Sequence, residues 1–259
     1  PVAGVLGGLV SFRDVIVAEG GIPLLAQMLG RETPQCKEAA IKVLQQLAHN
    51  RNEHRDAIVK AGVVPALLCV LKGVGLESTK EAATSALWAL AYDSEDRTNV
   101  IVKEGAVPLL VRLLDEGGSR AKEAAAGALC NLACDSNAHR DAVAQAGAIP
   151  LLVHLLHGGT PKAKEEAVKT LSNLARDSDE RRNNILEAGA VTALVSLLTS
   201  GNEGAKEAAA GALGSLACGS QLRKDQIVGA GVVPILQRLC SMGTNRLPET
   251  AAGALRQLM

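Results

Sequence analysis

The side chains that could hold a metal or act as a nucleophile are six cysteines and five histidines. The cysteines form no C-x-x-C pair, and Cys130 and Cys134, which share a predicted helix face, have no second pair or histidine at zinc-ligand spacing. His154 and His157 also share a face, but no carboxylate or cysteine recurs beside them at ligand spacing. We therefore expect solvated surface histidines, and we predict no metal site and no cofactor.

Two further kinds of reactive site are missing from the sequence. The glycines follow a long repeat instead of forming a phosphate-binding loop, and no Ser-His-Asp arrangement stands out. The sequence therefore predicts a protein that is not an enzyme.

Charge and composition narrow the classes of partner. Lys plus Arg equals Asp plus Glu at 27 each, so no net charge attracts nucleic acid or an anionic membrane over a distance. There is no signal peptide and no apolar run of about 18 residues, so we expect no membrane span.

Most cysteines lie in apolar runs, where a thiol is a small hydrophobe, and this favours a reducing compartment. We expect a cytoplasmic or nuclear protein, and a start at Pro1 without Met is consistent with a segment of a longer one.

Two phrases recur six times along the chain. The first, typified by GAIPLLVHLL, begins at Gly20, Gly62, Gly105, Gly147, Gly189 and Gly231, at intervals of 42, 43, 42, 42 and 42 residues. The second, typified by KEAAAGALCNLA, follows each first phrase. Such a period is the signature of a repeat architecture, and the one extra residue falls in the predicted loop around 73–78.

Each repeat is predicted to contain three helices. A short first helix, such as His139–Ala146, follows a capping serine (Ser94, Ser136 or Ser178) and ends at the recurring glycine. The second helix is the PLLxxLL segment, with Pro in its first turn, and the third is the longest, opened twice by Thr-Pro at Thr33 and Thr160. No repeat buries both helix faces alone, so neighbours must stack. We predict a single all-α domain over 1–259, a right-handed superhelical solenoid of six repeats at about 10–50, 51–92, 93–134, 135–176, 177–218 and 219–259.

This pattern resembles the armadillo repeat family over residues 10–258. The period near 42, the three helices and the glycine between the first two all match, as do the GAIPLLV and KEAAAGAL phrases. Two-helix HEAT repeats are the alternative, but they lack the short first helix that ends at glycine. The sequence is most similar to plant, algal and oomycete arrays and to the yeast vacuolar armadillo protein, and less similar to importin-α or β-catenin. The resemblance implies a scaffold that binds an extended peptide or partner segment along its third helices.

The resemblance also implies a row of ladder side chains that hold the peptide backbone. An asparagine amide can donate to and accept from one peptide bond. The matching positions here are Gln46, Ala89, Asn131, Asn173, Ser215 and Gln257. Only Asn131 and Asn173 fit the motif, and we predict that they face one concave surface on adjacent repeats; the alternative is that they cap loops or face water. Gln46 and Gln257 carry the amide on a longer arm, and Ser215 and Ala89 do not replace it.

Two neighbouring rows depart from the family members that bind nuclear import signals. Those carry tryptophan four residues before the asparagine, whereas this row reads Lys42, Ser85, Gly127, Lys169, Gly211 and Gly253. The acidic position seven residues before the asparagine is filled only by Glu166. Without aromatic slots, and with two lysines that repel cations, the groove is expected to bind a basic import signal weakly. The small residues predict a shallow, smooth trough.

Trp88 is the only tryptophan, and it lies in a row that also accepts Gln45 and Arg256. It is therefore a candidate for a partly exposed anchor, joined by Tyr92, since aromatic anchors dominate interfaces. The alternative is packing against the adjacent repeat.

A second recurring row is acidic: Glu38, Glu81, Glu123, Glu165, Glu207 and Glu249. It either rims the groove and favours a basic ligand, or complements helix dipoles and pairs with adjacent lysines.

Three functional hypotheses remain open. The first is a peptide-binding scaffold or adaptor, the second is the substrate-recognition arm of a larger ubiquitin-ligase-type protein, and the third is a designed or consensus-like array without a native ligand. Both ends have apolar residues in interior positions, Val2–Val10 and Ala251–Leu258, so end-to-end self-association is also expected.

Overall fold

The computed structural model describes residues 12–31, 33–49, 51–73, 75–242 and 246–259, and these contain helices and turns but no β-strand. The all-α prediction is confirmed. Residues 12–18 are helical. They precede α1 (Gly21–Arg31), α2 (Pro34–Ala48), α3 (Asn52–Lys60), α4 (Val63–Lys72), α5 (Glu77–Leu90), α6 (Glu95–Lys103), α7 (Ala106–Glu116), α8 (Ser119–Asp135), α9 (Asn137–Gln145), α10 (Ala148–Gly158), α11 (Pro161–Leu174), α12 (Asp179–Glu187), α13 (Ala190–Ser200), α14 (Glu203–Ala217), α15 (Gln221–Gly229), α16 (Val232–Met242) and α17 (Leu247–Leu258).

The helices follow the predicted order of short first, middle second and longer third helix. The first helices are α3, α6, α9, α12 and α15; the second are α1, α4, α7, α10, α13 and α16; the third are α2, α5, α8, α11, α14 and α17. Four first helices begin at a serine whose hydroxyl accepts the backbone N–H three residues later at 3.2–3.4 Å. These serines are Ser94, Ser136, Ser178 and Ser220, and the last was not identified from the sequence. Thr33 and Thr160 cap α2 and α11 in the same way.

The turn between first and second helices depends on a left-handed glycine. Gly147, which joins α9 to α10, has φ +84°, and Gly189, which joins α12 to α13, has φ +82°. An L side chain rarely adopts such a φ, so glycine lets the chain reverse with little strain. The recurring glycine was predicted for this reason.

The chain forms two compact units, Pro1–Leu109 and Leu110–Met259. In the first unit the third helices α2 and α5 pack on each other, and α1 and α4 cover them. In the second unit α8, α11, α14 and α17 pack in succession, with α10, α13 and α16 against the third helix of their own repeat. The predicted single domain and its six repeat boundaries remain predictions.

The third helices approach each other through small residues. One alanine row, at the start of the apolar face, is essentially inaccessible to solvent: Ala40, Ala83, Ala125, Ala167, Ala209 and Ala251. The leucine row four residues later is buried as well: Leu44, Leu87, Leu129, Leu171, Leu213 and Leu255. The alanines allow the helix axes to come close, and the leucines supply most of the buried apolar area.

The two chain ends give a mixed outcome. The predicted apolar segment Val2–Val10 lies outside the described residues. At the other end Ala251, Leu255 and Leu258 are buried within the unit and Ala252 is half-buried, so the expected exposure of this face is not found for them. Self-association remains a prediction. None of the helices in the described ranges is long and apolar enough to cross a membrane.

Candidate functional site

Asn131 and Asn173 occupy equivalent positions on α8 and α11, which pack directly on each other. Both side chains are half-buried. The Asn173 Nδ2 donates to the backbone carbonyl of Cys130, the residue before Asn131, at 3.1 Å. This bond fixes the Asn173 amide against the previous repeat. The same Nδ2 lies 3.6 Å from the Cys130 Sγ.

The other ladder positions are occupied in different ways. Gln46 is exposed, and its Oε1 accepts from Arg13 Nη2 at 2.9 Å. Its neighbour Gln45 donates to the Ala82 carbonyl on the next third helix at 2.9 Å. Ser215 donates its hydroxyl to the Gly211 carbonyl of its own helix at 3.0 Å, and Gln257 is exposed. A continuous amide ladder is therefore confined to Asn131 and Asn173.

Both lysines in the row four residues before the ladder, where import-signal binders carry tryptophan, are ion-paired. Lys42 Nζ lies 2.7 Å from Glu38. Lys169 Nζ lies 2.6 Å from Glu165 and 3.3 Å from the buried Glu166. Burial alone lowers the pKa of Lys169, but the hydrogen bonds and charges of Glu165 and Glu166 together outweigh it, so the pKa is raised. Repulsion of a cationic ligand is therefore weaker than the row alone suggests, because each lysine charge is neutralised locally.

The acidic row reaches across to the following third helix. Glu38 accepts from the Ser78 hydroxyl at 2.7 Å, and Glu123 accepts from the Thr160 hydroxyl at 2.8 Å. Ser78 lies in the first turn of α5, and Thr160 is the N-cap of α11. A carboxylate at a helix N-terminus is stabilised by the helix dipole. These contacts agree with the dipole interpretation, although the dipole belongs to the next repeat.

The aromatic pair lies at the end of α5. Trp88 is half-buried and Tyr92 is exposed. The Arg55 guanidinium carbon is 5.2 Å from the centre of the Tyr92 ring, within the range of a cation–π contact. Ser85, one turn before Trp88 on the same helix, is half-buried. The role of Trp88 as an anchor remains a prediction.

An arginine row on the first helices was not recognised from the sequence. Arg97, Arg181 and Arg223 are buried, at 3–5% exposure, in the third position of α6, α12 and α15. Each Nε donates to the carbonyl seven residues earlier, at 2.7–3.0 Å, and each Nη2 to the carbonyl five residues earlier, at 2.5–2.6 Å. Those carbonyls belong to the end of the preceding third helix and its turn. The row therefore fixes the ends of the helices that carry the candidate surface.

The same arginines also bind the preceding first helix. Arg97 bonds Asp56 and Asn52, Arg181 bonds Asp141 and Asn137, and Arg223 bonds Asn183 and Asp179. We call this arrangement the arginine clasp. Its sequence signal is an arginine three residues after a capping serine, recurring at the repeat period.

Histidine replaces the clasp arginine in two repeats, which corrects the expectation of solvated histidines. His54 is buried, with Nδ1 at 3.2 Å from the Leu47 carbonyl and Nε2 at 2.9 Å from Asp14. His139 is also buried, and its Nδ1 has no partner among the described residues. The remaining three, His49, His154 and His157, are exposed as expected.

The cysteines are also less buried than the apolar runs suggested. Cys130 is buried, and burial raises the pKa of its thiol to about 12. Cys69, Cys134 and Cys218 are exposed, and Cys36 and Cys240 are half-buried. No group of three or more metal-ligating side chains occurs in the part of the chain that the structure describes.

The small residues do not leave a smooth trough throughout. Between α14 and α17 they leave a cleft of about 450 Å³. Its lining combines small residues with the polar ladder positions Ser215 and Gln257, and the loop after α11 supplies Arg176 and Asp177. The cleft lies on the third-helix surface and is largely open to solvent.

Comparison with known proteins finds a matching family model and similar solved structures. A family model described as the ARM repeat region of plant U-box proteins matches residues 18–217. A comparison with curated proteins found no match. Among solved structures, an engineered protein of the Northeast Structural Genomics Consortium is 31% identical with a TM-score of 0.86, covering 92% of this chain and 96% of that chain.

Two designed armadillo repeat proteins are similar as well. One, computationally designed for modular peptide recognition, is 28% identical with a TM-score of 0.84, over 91% of this chain and 99% of that chain. The other, in complex with the peptide (KR)4, is 28% identical with a TM-score of 0.83, over 92% and 99%. Because the family model spans well over half of its residues, the chain belongs to the armadillo repeat family that this model describes, the ARM repeat region of plant U-box proteins.

Proposed function

We propose that the protein is a protein–protein interaction scaffold that binds an extended peptide or partner segment along its third helices. The observation that carries the proposal is the pair Asn131 and Asn173, held at equivalent positions of two directly packed third helices. Neighbouring helices lie roughly 10 Å apart, about the span of three extended residues. The two amides can therefore hold two different peptide bonds of one extended segment.

The related designs support the same function. One was made for modular peptide recognition, and one binds (KR)4. The present chain has no aromatic residue in the row four before the ladder, so its ligand differs from a basic import signal. A scaffold of this kind needs no catalytic group and no cofactor, and it does not depend on nucleic acid.

The second candidate is the substrate-recognition arm of a ubiquitin-ligase-type protein. The observation that favours it is the match to the ARM repeat region of plant U-box proteins. In that case the same third-helix surface would bind the substrate. Either role places the protein in the cytoplasm or the nucleus.

The test begins with selection of dodecapeptides from a random display library on the wild-type protein. Changing Asn131 and Asn173 together to Ala is expected to weaken the selected peptide by about 1–3 kcal/mol, because two hydrogen-bonding amides are lost. The matched control changes Gln145 and Gln226, exposed amides on the first helices, to Ala. Equal affinity of both double variants for every selected peptide would refute the proposal.

A further inference from the structure

Two glycines keep the cleft between α14 and α17 open without serving helix packing. A Cβ at Gly211 would meet only the Thr250 methyl, at 3.6 Å, and one at Gly253 only Arg256 Nη2, at 4.0 Å. Gly214 is different, because its Cβ would lie 3.2 Å from the Ala254 Cα. Glycine destabilises a helix interior relative to alanine. Gly211 and Gly253 therefore weaken their helices and leave space that a ligand can use.

One wall of this cleft is cationic. Arg176 is exposed, and its Nη1 donates to the Cys134 carbonyl at 3.2 Å. No carboxylate lies within ion-pair distance of Arg176 in the described part of the chain. Arg182 bonds Asp179 through Nη1 at 2.7 Å, while its buried Nε has no partner among the described residues.

The carboxylate that also lines the cleft does not neutralise this wall. Asp177 lies 3.2 Å from Nη2 of the buried Arg140. Arg182 is likewise paired with Asp179, so Arg176 is the one lining arginine that has no carboxylate partner among the described residues. The cleft is therefore complementary to an anion beside an apolar group.

We propose that this cleft binds a large apolar side chain of the partner segment while a nearby Asp or Glu of the same segment pairs with Arg176. This inference rests on the proposed function and adds the chemistry of the ligand. In an extended segment alternate side chains share a face, so the two side chains are two residues apart. The partner is thus an acidic, partly apolar segment.

Four fluorescein-labelled octapeptides test the preference by anisotropy: SESLSESL, SKSLSKSL, SESASESA and (KR)4. We expect SESLSESL to bind about tenfold more tightly than SESASESA, because a leucine side chain is buried. We expect SESLSESL to bind roughly fivefold more tightly than SKSLSKSL, because an exposed ion pair contributes less binding free energy than the burial of a leucine side chain. No binding of SESLSESL, or equal or tighter binding of either basic peptide, would overturn the inference.

Variants then assign the binding to this cleft. Gly253→Leu should weaken SESLSESL about tenfold by filling the space, whereas the matched Gly253→Ala should retain binding and raise Tm. Arg176→Glu should reverse the preference in favour of SKSLSKSL, and Arg120→Glu, an exposed change on α8, should not. If Gly253→Leu does not fold, Gly211→Leu and Arg176→Glu test whether the peptide binds in this cleft. If all of the folded variants keep the wild-type preference for SESLSESL, the inference is contradicted.

The two proposals fail separately. If a basic peptide binds and the binding requires Asn131 and Asn173, the third-helix surface binds peptides and the acidic preference is wrong. If SESLSESL binds the cleft but the asparagine pair has no effect, the preference stands and the ladder is wrong.

Discussion

At the scale of single residues, the arginine clasp links the helix ends to the array. A buried guanidinium offers five donors in a fixed plane, and Arg181 directs them at two carbonyls, one carboxylate and one amide oxygen. Of the two carbonyls, that of Leu174 is at the end of α11, which carries Asn173, and that of Arg176 is in the turn that follows. A structural side chain on a first helix thereby controls the geometry of the candidate surface.

Removing this side chain should destabilise the second unit. Arg181→Met is expected to lower the free energy of unfolding by about 2 kcal/mol, since charged hydrogen bonds to buried carbonyls are lost while the half-exposed Asp141 can be solvated. Arg181→Lys should restore part of this loss, because lysine keeps the charge but not the planar donors. Urea unfolding measures both, with the exposed Arg120→Met as control. A loss no larger than that of the control would show that the clasp is unimportant for stability.

At the scale of helices and turns, the sequence was sufficient to predict the helix order, the serine and threonine caps and the glycine turn. These features depend on short-range chemistry that repeats at a fixed period. The sequence was not sufficient to predict the hydrogen bonds of Arg97, whose partners lie five to 45 residues away along the chain. Pairing of the acidic row with adjacent lysines was one of the two interpretations of that row, and Lys42 and Lys169 pair with Glu38 and Glu165 in this way. Contacts between repeats are therefore the part of the structure that the sequence did not predict.

Two glycine-to-alanine changes should have opposite effects. Gly147→Ala places an L side chain at φ +84° and should cost about 1–2 kcal/mol of folding free energy. Gly211→Ala, inside α14 with only ordinary van der Waals contact at 3.6 Å, should stabilise by about 0.5–1 kcal/mol. Thermal unfolding of both variants measures the signs. The same sign for both would contradict the assigned roles of turn and helix glycines.

At the scale of the whole molecule, the repeated unit supplies both the fold and the candidate surface. Within each compact unit the third helices stack in succession, so each repeat of that unit adds one third helix to the stack. The family assignment and the designed relatives agree with a modular surface of this kind. What distinguishes this chain is the chemistry of its rows, in which glycine, serine and ion-paired lysine replace aromatic slots.

This substitution should exclude basic import signals. A labelled lysine-rich import-type peptide is expected to bind more weakly than about 1 μM at physiological salt, because no aromatic ring stacks on the stems of its lysines. The ion-paired Lys42 and Lys169 contribute little to this exclusion. Lys169→Met leaves Glu165 and Glu166 paired with Lys162 alone and should tighten the binding, but by less than about threefold. Submicromolar binding of the wild-type protein in an anisotropy titration would show that the aromatic row is dispensable.

Native cysteines can report whether a peptide lies along the third helices. Cys134 and Cys218 are exposed near the ends of α8 and α14, each three residues after a ladder position, whereas the exposed Cys69 lies on a second helix. Alkylation by N-ethylmaleimide, followed by mass spectrometry, gives a rate for each thiol with and without a saturating library-selected peptide. We expect the bound peptide to slow alkylation of Cys134 and Cys218 by about tenfold or more and to leave the rate at Cys69 unchanged, since a bound segment excludes the reagent only where it covers the surface. Unchanged rates at Cys134 and Cys218, with the peptide bound, would contradict it.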